Sequence, residues 1–180
     1  MSIRATTKRE VLQRAVILLE NSNALYRSRV YVMAGSILPS NIKDQDLLTV
    51  SFAGGTFSYA EQAGAGQFCV PYQGTMRVSL WHTCRTDRNG TDKDALLADQ
   101  NGLFSLETNI LRSLLGSLLP GPTDAFDPIL TQCIYAVSDT EASRNDGVFG
   151  QTSTGDMAKA ILTVDFGVDF YWDMTQEANR

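Results

Sequence analysis

Histidine is almost absent from this chain: among 180 residues there is one, His82, and cysteine is nearly as scarce. A zinc site built on so few nitrogen and sulfur donors would need an unusual carboxylate-rich set. Cys69, Cys84 and Cys133 are widely spaced and form no close-paired motif. They read as reduced, buried thiols of a cytosolic product rather than as metal ligands or staples. No basic excess exists either. Fifteen Lys and Arg face twenty Asp and Glu, for a net charge of −5. That balance excludes tight, sequence-independent binding to nucleic acid, while leaving open a surface past which DNA slides. No apolar run has the length of a membrane span, and Met1 to Glu10 lacks the apolar core of a secretory signal.

The chemical motifs that do occur fail on inspection. Gly150-Gln151-Thr152-Ser153-Thr154-Gly155 has the glycine spacing of a phosphate loop, but Asp156 follows where Lys is required. A carboxylate there would repel the phosphates. Gly64-Ala65-Gly66 precedes a strand rather than a helix, so it is no dinucleotide fingerprint. His82 sits on the apolar side of its strand, the place of a half-buried, hydrogen-bonded structural histidine. The residues therefore give no catalytic group, no metal ligand and no cofactor site.

What is present is pattern. From Ala160 to Trp172 the even positions are apolar and most odd ones are polar, the alternation of a β-strand with one buried and one wet face. Thirteen residues at ~3.3 Å each reach about 43 Å. Such a strand either bends at Gly167 or serves a neighbouring subunit along part of its length. Upstream, Thr7-Lys8-Arg9-Glu10 has the form of a capping box, and the apolar spacing after it predicts a helix from Lys8 to Asn21. Short strands are expected at 29–33 and 47–52, then a hairpin excursion over 56–72, then a strand from Met76 to Arg85. A short helix is expected over 92–99. A leucine-rich amphipathic helix runs from Leu103 to Leu119, and a further strand from Ile129 to Val137. Residues 138–156 read as a mobile polar loop and 175–180 as a frayed tail. The whole is one α+β domain, 1–180: a predominantly antiparallel sheet with two main amphipathic helices packed on it, plus an extended hairpin.

Two sets of residues stand out on this frame. Asp165, Asp169 and Asp173 share the wet face of the last strand at spacings of roughly 13 Å, too far apart to share a metal. They suit a solvated or lumen-facing acidic row. Trp81 and Tyr171 lie on otherwise polar strand faces, to be covered by a helix of the same chain or by a neighbouring subunit.

The order of elements carries a resemblance. A first helix leads to Arg29-Val30-Tyr31-Val32, then Leu48-Thr49-Val50-Ser51-Phe52, a Gly-rich hairpin, and Arg77-Val78-Ser79-Leu80-Trp81. A leucine-rich helix, a strand and a terminal Val168-Asp169-Phe170-Tyr171-Trp172-Asp173 complete it. This resembles the tail terminator proteins of long-tailed bacteriophages and their relatives in the head–tail completion group. The resemblance implies a non-enzymatic virion protein, assembled in the host cytoplasm. It would form a homo-oligomeric ring, usually of six subunits, between the tail tube protein and the head connector or stopper. DNA would pass through the central channel without sequence-specific binding. It also implies contacts made by exposed loops, here Tyr59, Glu61, Gln62 and Phe68, with Trp81 and Tyr171 as further interface candidates and the three aspartates facing the channel. A long loop after Val137 departs from the shorter family members and leaves the docking partner open. Another neck protein, or a ligand-binding or enzymatic α+β domain closing a pocket over the sheet, are the alternatives.

Overall fold

In a computed structural model, residues 5–23, 26–34, 46–58, 69–85, 102–115, 130, 133–139, 143–145, 151–152 and 155–178 are described. Their architecture is α+β, with helices layered on one side of a mixed sheet. Strand β1 (Ala5–Thr6) is followed by helix α1 (Lys8–Ser22), β2 (Val30–Val32), β3 (Leu47–Phe57) and β4 (Cys69–Arg85). Then come α2 (Leu103–Leu115), β5 (Ile134–Asp139), β6 (Ser143–Asn145), β7 (Gln151–Thr152), β8 (Gly155–Asp173) and α3 (Met174–Ala178).

The alternation read in the sequence sets which face is buried. Leu162, Val164, Phe166, Val168 and Phe170 of β8 join Tyr72, Met76, Val78 and Leu80 of β4 and Leu48 and Val50 of β3 in one core. Val11, Ala15, Leu18 and Leu19 of α1 and Leu103, Leu106, Ile110 and Leu114 of α2 close it from above. These helical positions recur every three or four residues, which puts them on one stripe of each helix. Helix α1 starts where the capping box places it: the Glu10 amide donates to Thr7 Oγ1 at 3.0 Å. The Glu10 carboxylate does not return to Thr7. It accepts from the Thr6 hydroxyl at 3.0 Å and from Arg14 at 2.8 Å.

The sheet path runs β1–β8–β4–β3–β2, with β5, β6 and β7 also paired to β8. Strand β8 is antiparallel to β4 over the whole length of β4, from Cys69↔Asp173 to Arg85↔Met157. Strand β2 runs parallel to β3, and β1 parallel to β8; the other pairings are antiparallel.

Several expectations are corrected. The strand near 129–137 lies further on, at Ile134–Asp139. The polar stretch 138–156 is no loop throughout: β6, β7 and the start of β8 occupy much of it, paired as strands. Few of its side chains are apolar, so a backbone ladder forms there without alternation to announce it. The tail is not frayed from 175, because α3 occupies Met174–Ala178. Between the strand expected at 47–52 and the hairpin expected from 56, Gly54-Gly55 makes no break but lies at a bulge inside a continuous β3. At Gly167 the irregularity falls on the partner strand: β5 shifts register between Ile134 and Ala136, and Tyr135 lies over the glycine. A Cβ on Gly167 would sit 2.9 Å from Tyr135 Cζ. The short helix at 92–99 and the end of the leucine-rich helix, 116–119, lie outside the described residues.

Candidate functional site

The far end of the β3–β4 ladder, beyond the reach of β2, is built around two glycines. Gly55 faces Gly74 across the ladder, next to the bulge at which Gly54 takes φ 128°. A side chain on either would run into the Tyr72 ring, and also into backbone oxygens, Gln73 O at 2.6 Å or Gly54 O at 2.7 Å. The bare glycine pair thus makes the trough in which Tyr72 lies, and the Tyr72 hydroxyl donates to the Gly54 carbonyl at 3.3 Å. An aromatic laid over a cross-strand glycine restores the contacts the glycine lacks.

Tyr72 anchors an aromatic cluster. Its ring centroid lies 5.2 Å from Phe170, 5.9 Å from Trp172 and 6.0 Å from Phe52, and Phe57 stands 6.1 Å from Trp172. Such tilted and edge-on pairs match the ring quadrupoles. The Lys8 ammonium sits 4.2 Å from the Tyr72 ring and 3.9 Å from that of Trp172. Burial lowers its pKa, opposed by the charge of Glu177. Glu177 also accepts from Trp172 Nε1 at 3.2 Å and from the Arg9 amide at 3.4 Å. Outside this cluster a depression of about 310 Å³ opens between Phe57, Pro71, Tyr72, Gln73 and Asp169. Phe57 is 40% exposed at its rim.

The interface and channel residues expected from the sequence divide. Tyr59, Glu61, Gln62 and Phe68 lie outside the described residues. Trp81 is buried, packed with Leu47 against Tyr31, Met33 and Ile161, and its Nε1 donates to Thr49 Oγ1 at 3.1 Å. It belongs to a second, small core on the other face of the sheet and is corrected from an interface candidate. Tyr171 is half-buried, beside Pro71 on one side and Ala5 on the other. The aspartates do not form one solvated row. Asp165 is held by Arg77 through two hydrogen bonds, 2.8 and 2.7 Å. Asp173 is buried and accepts from the Gln176 amide at 2.9 Å, which starts α3. Its charge, after burial itself, pushes the Cys69 thiol upward. Only Asp169 keeps a wet position, at the depression. Replacing Asp173 by Ala removes a helix cap and is expected to cost about 1 kcal/mol. Chemical denaturation reads that loss, and Asp173→Asn, which still accepts the bond, should recover most of it.

His82 is half-buried and hydrogen-bonded as read from the sequence, its Nδ1 3.0 Å from Asp46 Oδ2. Close by, Tyr26 is buried, and desolvation followed by the charge of Asp46 drives its pKa far above the ordinary value. Among the described residues no three His, Cys, Asp or Glu side chains gather as a metal site. No described helix is long and apolar enough to cross a membrane.

The features that sequence reasoning missed are the two edges of the sheet. At one, Val32 of β2 is 57% exposed; at the other, Tyr135 and Val137 of β5 are 58% and 40% exposed. Strands this short bury too little to mark a face. Asp139, at the end of β5, also acts on Glu107 of α2, whose pKa is raised by burial and then by that neighbouring charge. The folded chain therefore holds the Glu107 proton more tightly than the unfolded one. Stability should fall as pH climbs from the ordinary carboxylate value through the raised one, and return below it. Denaturation midpoints across that window test this, and Glu107→Gln should flatten the slope.

Compared with protein-family models and with curated proteins, the chain matches none of them.

Proposed function

We propose that this protein is a structural component of a long-tailed bacteriophage, a tail terminator whose subunits close into a ring between tail tube and head connector. The observation that favours this reading is a mismatch of lengths. Strand β8 has 19 residues, or about 63 Å at ~3.3 Å each. Helices α1 and α2, of 15 and 13 residues, would cover only about 42 Å laid end to end. Among the described residues the sheet is longer than its helices, and β3 is exposed from Ala53 to Ser58, flanking the buried Tyr72 and Phe170. A strand end that the described residues leave exposed suits contact with neighbours. In the ring, DNA passes through the centre without sequence-specific contact, in keeping with the net charge of −5.

Native mass at high protein concentration, with negative-stain images of the same sample, tests the proposal. Six chains of 19.7 kDa make about 118 kDa. A closed ring of that mass with a central hole, alone or on added tail tubes, is the expected result. A ring that binds head connectors but not tubes would move the reading to another neck protein. A compact monomer that ignores both would overturn it. The depression beside Tyr72 and Asp169 would then favour a ligand-binding domain.

A further inference from the structure

We infer that the two lateral edges of this sheet are the two halves of one subunit junction, the outer side of β2 in one copy pairing with the outer side of β5 in the next. The inference rests on the ring reading and says which surfaces close the ring. Among the described residues neither edge has a strand on its outer side. An edge presents unpaired backbone donors and acceptors, which template the addition of another strand unless they are blunted. Here apolar side chains remain at both edges: Val32, Tyr135 and Val137 are exposed.

Strand sense fits such a junction. Strands β2 and β3 run one way, β4 the other, β8 as β3, and β5 as β4. Carried across into a second copy, β5 therefore meets β2 antiparallel. The two edges differ in identity, so the contact is head-to-tail, the kind that closes rings. Register also fits. Val32 stands level with Val50, Val78 and Val164, while Val137 stands level with Phe166. All these partners belong to the helix-covered core, so the two exposed valines point to the same side of the sheet. A stagger of two residues sets them side by side and preserves the faces; an odd stagger would invert them.

Charge agrees as well. Arg27 and Arg29 lead into β2, and among the described residues neither guanidinium has an ion-pair partner. Asp139 ends β5 beside Glu107, so this end of the edge carries acidic side chains. In an antiparallel junction the start of β2 lies by the end of β5, so the basic end of one edge meets the acidic end of the other.

Paired cysteines test the junction. Within one chain the two edges are four strand spacings apart, about 19 Å, far beyond the ~7 Å between Cα atoms that a disulfide allows. Oxidation of the full-length Val32→Cys/Val137→Cys protein should therefore give a ladder of covalent oligomers on denaturing gels. Each single variant and the unsubstituted protein should give at least about ten-fold less. Independently, Asp139→Arg should weaken association about ten-fold or more, and adding Arg27→Asp and Arg29→Asp should restore it. Cross-linking of Val137→Cys to itself would reveal a two-fold contact and overturn the inference. A ring that forms without cross-links and ignores the charge reversals would overturn it and leave the ring reading standing. A compact monomer, uncross-linked and indifferent to tail tubes, would remove both.

Discussion

Phe166→Ala is expected to cost about 4 kcal/mol, the loss of a large side chain from a site that cannot collapse. Phe166 is fully buried at the middle of β8, between Met76 of β4 on one side and Val137 of β5 on the other. Both helices close the same core above it. For a domain of this size the midpoint of thermal unfolding should drop by roughly 10 °C. The measurement must hold protein concentration fixed, since the proposed ring would add its own stabilisation. Gln73→Ala, on the exposed side of β4, should stay within about 0.5 kcal/mol of the parent. Equal losses at the two positions would mean that the sheet face buried here has been assigned wrongly.

Tyr72→Ala is expected to cost as much, about 3–5 kcal/mol, for a different reason. Tyr72 is 2% exposed and touches Phe52, Phe170 and Trp172 as well as the Lys8 ammonium. Removing it also bares the Gly55–Gly74 pair, leaving two strands with nothing to pack across them. Tyr72→Phe keeps the ring and loses only a long hydrogen bond to Gly54, so it should cost about 1 kcal/mol or less. A double-mutant cycle with Trp172→Ala would show coupling, because the two rings are 5.9 Å apart. Additive losses would mean that the cluster is a row of independent contacts.

The parts of the fold that were readable from the sequence are those in which one face is buried and the other wet. The alternation from Ala160 to Trp172, the stripe from Leu103 to Leu114 and the Thr7 cap all satisfy that condition, and each is where it was expected. The paired glycines misled, because a glycine that breaks a strand and one that receives a ring are the same letter. Trp81 misled because only the even face was counted as core. Tyr31, Met33, Leu47 and Ile161 were already there to be read as a second apolar patch. Asp173 carried a usable signal, an acceptor three residues ahead of Gln176 in the manner of a helix cap. It was hidden by counting aspartates along the strand rather than at its end. For β5, an edge strand with mostly exposed side chains, the sequence indicated a strand but set its bounds too early, at 129–137 rather than Ile134–Asp139.

The central place of β8 bears on how the chain reaches its fold during synthesis. Among the described strands β8 follows all the others along the chain, and five earlier segments, β1, β4, β5, β6 and β7, pair with it. Ala5 and Thr6 wait for Tyr171 and Trp172 before their ladder can form. Contacts so distant along the chain slow folding, because long loops must close before they are rewarded. Until then the apolar side of β4 has no β8 beside it, and the nascent chain depends on dilution or on chaperones to avoid sticking to its like. Nearly simultaneous completion also has an effect on assembly. On the proposed junction, a subunit could not offer its β5 edge until β8 is in place to hold it, so partly made chains would not join there.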